Sequence, residues 1–270
     1  MNRINTCFDT LKKSGKKALI PYLTAGDPNL VTTVGLMHAL VGNGADLIEL
    51  GFPFSDPSAD GPVVQRAIER SLAKKTTLLG VLDVVRKFRV VDQKTPVVLM
   101  GYLNPVECMG YQKFADAAVA AGVDGVLLVD MPPEESFDLH TILRKAGLDT
   151  IYLVAPTSSE HRIKAICAQS SGYVYYVSLK GVTGASHLDI DSVASNLARL
   201  RQHTTLPLGV GFGIRDAESA ASIAKVADAV VVGSALINHI AELQDREDHA
   251  ITDLQQRISL IADMRKAMDR

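Results

Sequence analysis

Short apolar runs rich in β-branched residues recur along the whole chain. They begin at Ala18 (ALIPYL), Asp46 (DLIEL), Pro96 (PVVLM) and Asp124 (DGVLLVD), and continue at Thr150 (TIYLVA), Tyr173 (YVYYVS), Leu206 (LPLGVGF) and Asp228 (DAVVVG). Nearly continuous apolar runs of this length describe strands buried on both faces, and each is followed by a helix-like segment. Eight strand–helix units predict an α/β protein folded as one (β/α)8 barrel, with extra helices at the N-terminus and after the second strand.

Helix boundaries can be read at several points. Tyr111 to Ala121 carries helical periodicity and is stopped by Gly122. Pro133, Glu134 and Glu135 predict the opening of another helix, which Gly147 ends behind Arg144 and Lys145. The longest gap, between the second and third strands, fits two helices at about Pro62–Lys74 and Leu78–Phe88. No linker, repeat or shift of composition divides the chain, so residues 1–270 are expected to form a single domain. An open, doubly wound sheet is the alternative architecture; it requires a reversal of strand order, which a sequence does not display.

Composition supports this picture. Hydrophobic residues make up 47% of the 270 and aromatics only 5%, with no Trp, the balance expected of aliphatic strands covered by helices. The 28 basic and 30 acidic residues leave a formal charge of −2, which argues against nucleic acid or an anionic membrane as partner. No apolar run approaches the roughly 18 residues of a membrane span, and the basic N-terminus lacks the apolar stretch of a signal peptide. A soluble, cytoplasmic protein is expected. Cys7, Cys108 and Cys167 are far apart and read as ordinary thiols, and the seven histidines show no metal-binding spacing.

In a barrel, reacting groups cluster where strands end and the following loops begin. Glu49 lies inside the apolar second strand, where an unpaired charge is costly. It is either a strand-mouth residue paired with a Lys or Arg, or a general acid/base tuned by burial. Asp60 follows in a proline-stiffened loop (Phe52 to Pro62) and could be only the N-cap of the next helix, just as Asp56 could be a turn former. Its proximity to Glu49 at one strand mouth favours a catalytic pair.

At the other end of the chain, Gly211-Phe212-Gly213-Ile214 follows the seventh strand and Gly233-Ser234-Ala235 the eighth. Glycines admit close approach of backbone N–H groups to an anion, and barrels build phosphate sites from these two loops. Each cluster alone also suits a tight turn; together they predict phosphate binding. Gly181 to Ser186, after the sixth strand, has the small residues of a closing lid or of a plain surface loop. Tyr175 shares a strand face with Tyr173 and Val177, and the alternation does not say whether that face is the interior.

Taken in order, several motifs resemble the tryptophan synthase α-subunit family across nearly the whole chain. They are Pro21-Tyr22-Leu23-Thr24-Ala25-Gly26-Asp27-Pro28, Glu49 through Ser55-Asp56-Pro57 to Asp60-Gly61-Pro62, and Tyr102-Leu103-Asn104-Pro105. Asp130-Met131-Pro132-Pro133-Glu134, Gly181-Val182-Thr183-Gly184 and Gly211-Phe212-Gly213-Ile214 complete the set.

The resemblance implies retro-aldol cleavage of indole-3-glycerol phosphate to indole and glyceraldehyde 3-phosphate, with no metal or organic cofactor in this chain. It implies that Glu49 moves the protons and that Asp60 stabilises positive charge at the indole nitrogen. It further implies substrate contacts at Tyr22, Tyr175, Thr183 and Phe212, and phosphate contacts at Gly184, Gly213, Gly233 and Ser234. A pyridoxal-phosphate β subunit is the implied partner, in an αββα tetramer, with Asp56, Pro57, Asn104 and Pro132 at or near the interface. Ser58, Cys108-Met109-Gly110 and Leu179-Lys180 depart from the family's usual residues. Two other readings stay open: a different phosphate-binding barrel, such as an indole-glycerol-phosphate synthase or a sugar-phosphate isomerase, and a chain kept mainly as an allosteric or scaffolding subunit.

Overall fold

The computed structural model describes residues 2–178, 189–211 and 213–270. Its strands are β1 (Ala18–Thr24), β2 (Ile48–Gly51), β3 (Val97–Gly101), β4 (Gly125–Leu128), β5 (Asp149–Thr150), β6 (Leu153–Val154), β7 (Val174–Val177), β8 (Leu208–Gly211) and β9 (Ala229–Val232). All pairings are parallel, in the order β5-β4-β3-β2-β1-β9-β8-β7-β6.

The fifth predicted strand is thus two pieces. β5 bonds only to β4 and β6 only to β7, and just Ile151 and Tyr152 separate them. Across that joint, Ile151 N–H donates to Val126 O (2.9 Å), and Tyr175 N–H donates to Tyr152 O (3.1 Å). The two ends of the ladder are therefore one stretch of chain and the sheet closes on itself, which rules out the open doubly wound alternative. Closure leaves no unpaired strand edge.

The predicted helices between β2 and β3 are present as Pro62–Ala73 and Leu78–Arg89, and Tyr111–Ala121 ends at Gly122 in the left-handed conformation (φ 89°). The helix expected to open at Pro133 begins instead at Phe137 and runs to Ala146. Ser136 is buried just before it, its hydroxyl bonded to Pro133 O (3.0 Å), Gln169 Oε1 (2.8 Å) and the Tyr152 hydroxyl (2.8 Å). That tertiary network holds residues 133–136 as a turn, and it overrides the local start signal.

Strand alternation sends Ala18 and Ile20, Leu47, Val98, Leu127, Ile151, Tyr173, and Ala229 and Val231 into one interior cluster. The N-terminal helix Arg3–Lys13 closes the end of the barrel where the strands begin, contributing Ile4, Phe8 and Leu11 to the same cluster. The opposite strand faces pack against the outer helices in a second, larger core.

At that same end, an aspartate placed shortly before a strand accepts a backbone N–H at the start of the preceding strand in three places. Asp46 takes Leu19 N–H (2.8 Å), Asp124 takes Val97 N–H (2.8 Å) and Asp228 takes Leu208 N–H (3.0 Å). Each also meets an arginine: Arg265, Arg89 and Arg201 respectively. The Asp124 pair is the buried one. Arg89 Nη2 lies 2.7 Å from its carboxylate, while Arg89 also donates to Gly122 O (2.9 Å) and Thr95 O (2.7 Å), so its charge and its fork of donors are both answered. Arg3 reaches Asp124 from the half-exposed N-terminal helix (2.9 Å).

Removing Asp124 would leave a buried guanidinium without its carboxylate. Asp124→Ala should cost about 3–5 kcal/mol of stability in urea unfolding, and Arg3→Ala under about 1 kcal/mol because its partner keeps Arg89. Equal effects of the two substitutions would contradict this account.

Candidate active site

At the other end of the barrel the same alternation gathers side chains from separate strands. The register pairs Tyr22 with Glu49 and Leu153 with Tyr175, and these four face the interior at the strand ends together with Met100 and Val129. These residues, with Val64, Val177 and Val231, line a cavity of about 370 Å3. Apolar walls with a few convergent polar groups are the ordinary make-up of a small-molecule site.

Glu49 is fully buried at the floor of this cavity. Its Oε1 accepts a hydrogen bond from the Tyr173 hydroxyl (2.5 Å), and its Oε2 has no hydrogen-bond partner among the described residues. Burial pushes the carboxyl up to about 7, and the Tyr173 bond opposes the rise only in part. The bland alternative, a solvated glutamate paired with a Lys or Arg, does not hold among the described residues: the group is fully buried, and the side chain that tunes it is a neutral phenol. A carboxyl poised near neutrality can both give and take a proton.

Asp60 is not a helix cap. The helix Pro62–Ala73 has Gly61 at its N-cap position with no side-chain cap bond, and Pro62 fills the first turn where no N–H is needed. The Asp60 carboxylate instead accepts from the Tyr102 hydroxyl (2.7 Å), and that hydroxyl accepts from Ala59 N–H (3.0 Å). Gln65, one turn into the helix, holds the Asp60 carbonyl (2.8 Å). Burial raises the carboxyl and the Tyr102 bond lowers it. The loop is thereby fixed at both its backbone and its side chain, with Asp60 facing the cavity that Glu49 floors.

Two glycines at strand ends let the aromatic groups lie flat across neighbouring strands. A Cβ on Gly51 would collide with the Tyr22 hydroxyl, and one on Gly211 with the Tyr175 hydroxyl. Tyr173 and Tyr175 therefore both point inward, which settles the strand face that alternation left open.

Gly213, at φ 78° in a conformation that favours glycine, and Gly233 with Ser234 at the start of helix Ser234–Ile240 line the same cavity, far apart in sequence and together in space. Thr183, Gly184, Phe212 and the Gly181–Ser186 run lie outside the described residues. Asp56 and Asn104 are exposed and Pro57 and Pro132 half-buried, all in segments that follow the ends of β2, β3 and β4. Among the described residues no group of His, Cys, Asp and Glu could hold a metal, and no helix is long and apolar enough to cross a membrane.

Four residues of the site were not picked out by sequence reasoning. Tyr173 was visible only as a neighbour of Tyr175 in the period-two pattern, and Tyr102 only within a motif. Arg215 and Asn238, both lining the cavity, carried no signal, since an Arg in a loop and an Asn on a helix are commonplace.

Known proteins share this architecture and its sequence. The family model for the tryptophan synthase alpha chain matches residues 8–268. The tryptophan synthase alpha chain of Thioalkalivibrio sulfidiphilus is 62% identical over 269 residues, covering 100% of both chains. That of Nitrosococcus oceani is 57% identical, covering 100% of this chain and 98% of its own. Among solved structures, tryptophan synthase subunit alpha from Legionella pneumophila superposes with a TM-score of 0.90 at 47% identity, covering 100% of this chain and 99% of that one. A chain of tryptophan synthase from M. tuberculosis, in an aminoacrylate-bound form, gives 0.86 at 32% identity over 99% of this chain and 100% of that one. This chain belongs to the tryptophan synthase alpha chain family, the lyases that cleave indole-3-glycerol phosphate to indole and glyceraldehyde 3-phosphate.

Proposed function

We propose that Glu49 and Asp60 divide the chemistry of that cleavage between them. The observation that carries this reading is the fully buried Glu49, raised to about 7 with no counter-ion among the described residues to hold it charged. Such a group costs stability, and a scaffolding subunit would have no use for it.

In the proposed sequence Glu49 begins protonated and delivers its proton to the indole ring carbon that bears the glycerol chain, giving a cationic indolenine. The resulting carboxylate then takes the proton of the adjacent glycerol hydroxyl. As that O–H bond breaks, a carbonyl forms, the ring-to-chain carbon–carbon bond cleaves, and its electron pair returns to the ring to restore neutral indole. Glu49 ends protonated, and the step needs no oxidant or metal. Tyr173, bonded to one Glu49 oxygen, leaves the other for proton transfer. Asp60 places negative charge where the indole nitrogen becomes positive, the kind of prearranged electrostatics that lowers a barrier most.

The remaining contacts follow the cavity. Met100, Val129, Leu153 and Val177 suit the indole ring, with Phe212 as a further pocket residue. Tyr22 and Tyr175 flank the glycerol, and Gly213, Gly233 and Ser234, joined by Gly184, receive the phosphate. Thr183 would close over Glu49 and Asp60 from the lid. Asp56, Pro57, Asn104 and Pro132, near the cavity mouth, would meet a β chain in an αββα assembly, and pyridoxal phosphate would belong to that partner. In this reading the α chain works without a cofactor of its own.

Glu49→Gln should lower turnover of indole-3-glycerol phosphate by about a hundred- to ten-thousandfold, and Asp60→Asn by about a hundredfold or more. Near-normal indole release by either folded variant would overturn the assignment.

The pH dependence has a defined sign. The protonated form of Glu49 starts the reaction, so kcat/KM should fall as pH rises through about 7. Stability moves the same way: the folded chain binds this proton more tightly than the unfolded one, so the contribution is fully present below 4.5 and is lost as pH rises to about 7. Glu49→Gln should therefore melt higher than the native protein above pH 7, and the gap should close as the pH falls towards 4.5. A gap independent of pH would show that Glu49 is not the group titrating.

A further inference from the structure

Arg215 is the only Lys, Arg or His among the described residues that line the cavity, and it lines it beside Gly213 and Ile214 in the loop after β8. The same cavity contains two acidic side chains, Glu49 and Asp60. A phosphate dianion entering it meets like charge at one part of the wall, and among the described lining residues Arg215 is the cation that can offset that repulsion.

The Arg215 backbone is well anchored. Its N–H donates to Ser219 Oγ (3.1 Å), and Ser219 closes a capping box with Asp216 at the start of helix Ala217–Ala224. The side chain is held much less tightly. Its ion partner among the described residues is Asp216, reached through Nε at 3.4 Å with both side chains more than half exposed (62% and 52%). Asp216 is already engaged by Ser219, through N–H (2.8 Å) and Oγ (2.7 Å). An exposed pair of this kind contributes little, and contact through Nε leaves the far edge of the guanidinium for a two-point ligand. Asn238 adds a neutral donor to the same wall, one turn beyond Ser234 on the helix Ser234–Ile240.

We propose that Arg215 is the cationic partner of the substrate's phosphate group, drawing the dianion into the cavity and bonding it at the Gly213–Ser234 wall. This rests on the reading of Gly213, Gly233 and Ser234 as the phosphate site. The phosphate is remote from the bond that breaks, so Arg215 binds it equally before and during the reaction. Its contribution belongs in KM and in the rate of association, not in kcat. Part of it is long-range attraction, which added salt screens.

The test uses the full chain, its Arg215→Gln and Arg215→Lys variants, and two probes, inorganic phosphate and glyceraldehyde 3-phosphate, followed through the backbone amide signals at low ionic strength. Both probes should shift the amides of Gly213, Gly233 and Ser234. Arg215→Gln should weaken them about tenfold, the worth of one charge-assisted contact. Arg215→Lys, which keeps the charge, should recover most of that loss. In kinetics Arg215→Gln should raise KM for indole-3-glycerol phosphate by a similar factor, change kcat little, and flatten the decline of kcat/KM with salt. If those amides shift but Arg215→Gln binds as tightly as the native chain, the role of Arg215 is overturned and the phosphate reading survives. If the amides do not respond in the native chain, both fall together.

Discussion

The register of the closed parallel sheet is the constraint on which everything else depends. A barrel interior admits one side chain in two from each strand, so closing the ring decides at once which residues meet. Pairing Tyr22 with Glu49, and Val177 with Gly211, gathers two tyrosines, a glutamate and the glycines that make room for them inside one end of the barrel. A shift of one residue in β2 would turn Glu49 towards the helices and bring Ile48 or Leu50 into its place.

The two ends of the barrel treat carboxylates in opposite ways. Where the strands begin, Asp46, Asp124 and Asp228 each hold a backbone N–H of the preceding strand and an arginine, so their charge is answered. Where the strands end, Glu49 has a phenol and no cation among the described residues, and Asp60 has a phenol and a fixed backbone. The first arrangement stabilises the fold. The second costs stability, because burial pushes both carboxyls up, Glu49 to about 7. The ends are also linked: Phe8 of the N-terminal helix packs 5.9 Å from the Tyr173 ring, and the hydroxyl of that tyrosine holds Glu49. The helix that closes one end thereby helps to set the geometry at the other.

Much of this was legible in the chain because its signals are local. Runs such as LPLGVGF and DAVVVG announce buried strands, Gly122 and Gly147 announce helix ends, and the aspartates that open three of the runs prove to be the ones that bind the preceding strand. Local signals failed where a distant partner outweighed them. The Pro133 start signal gave way to Ser136, which Gln169 and Tyr152 hold, and the Asp60 cap gave way to Tyr102, just past the end of β3.

The sequence by itself determined the succession of strands and helices and the family likeness that names the reaction, because hydrophobic period, turn residues and ordered motifs are all written along the chain. Only the tertiary structure decided that the sheet closes through a divided fifth strand, that Tyr173 and Tyr102 hold the two carboxylates, and that Arg215 lines their cavity. Those facts depend on contacts between residues 42 and 124 positions apart and on the burial that closure brings. Burial and long-range proximity are properties of the folded interior, and no stretch of chain carries them alone.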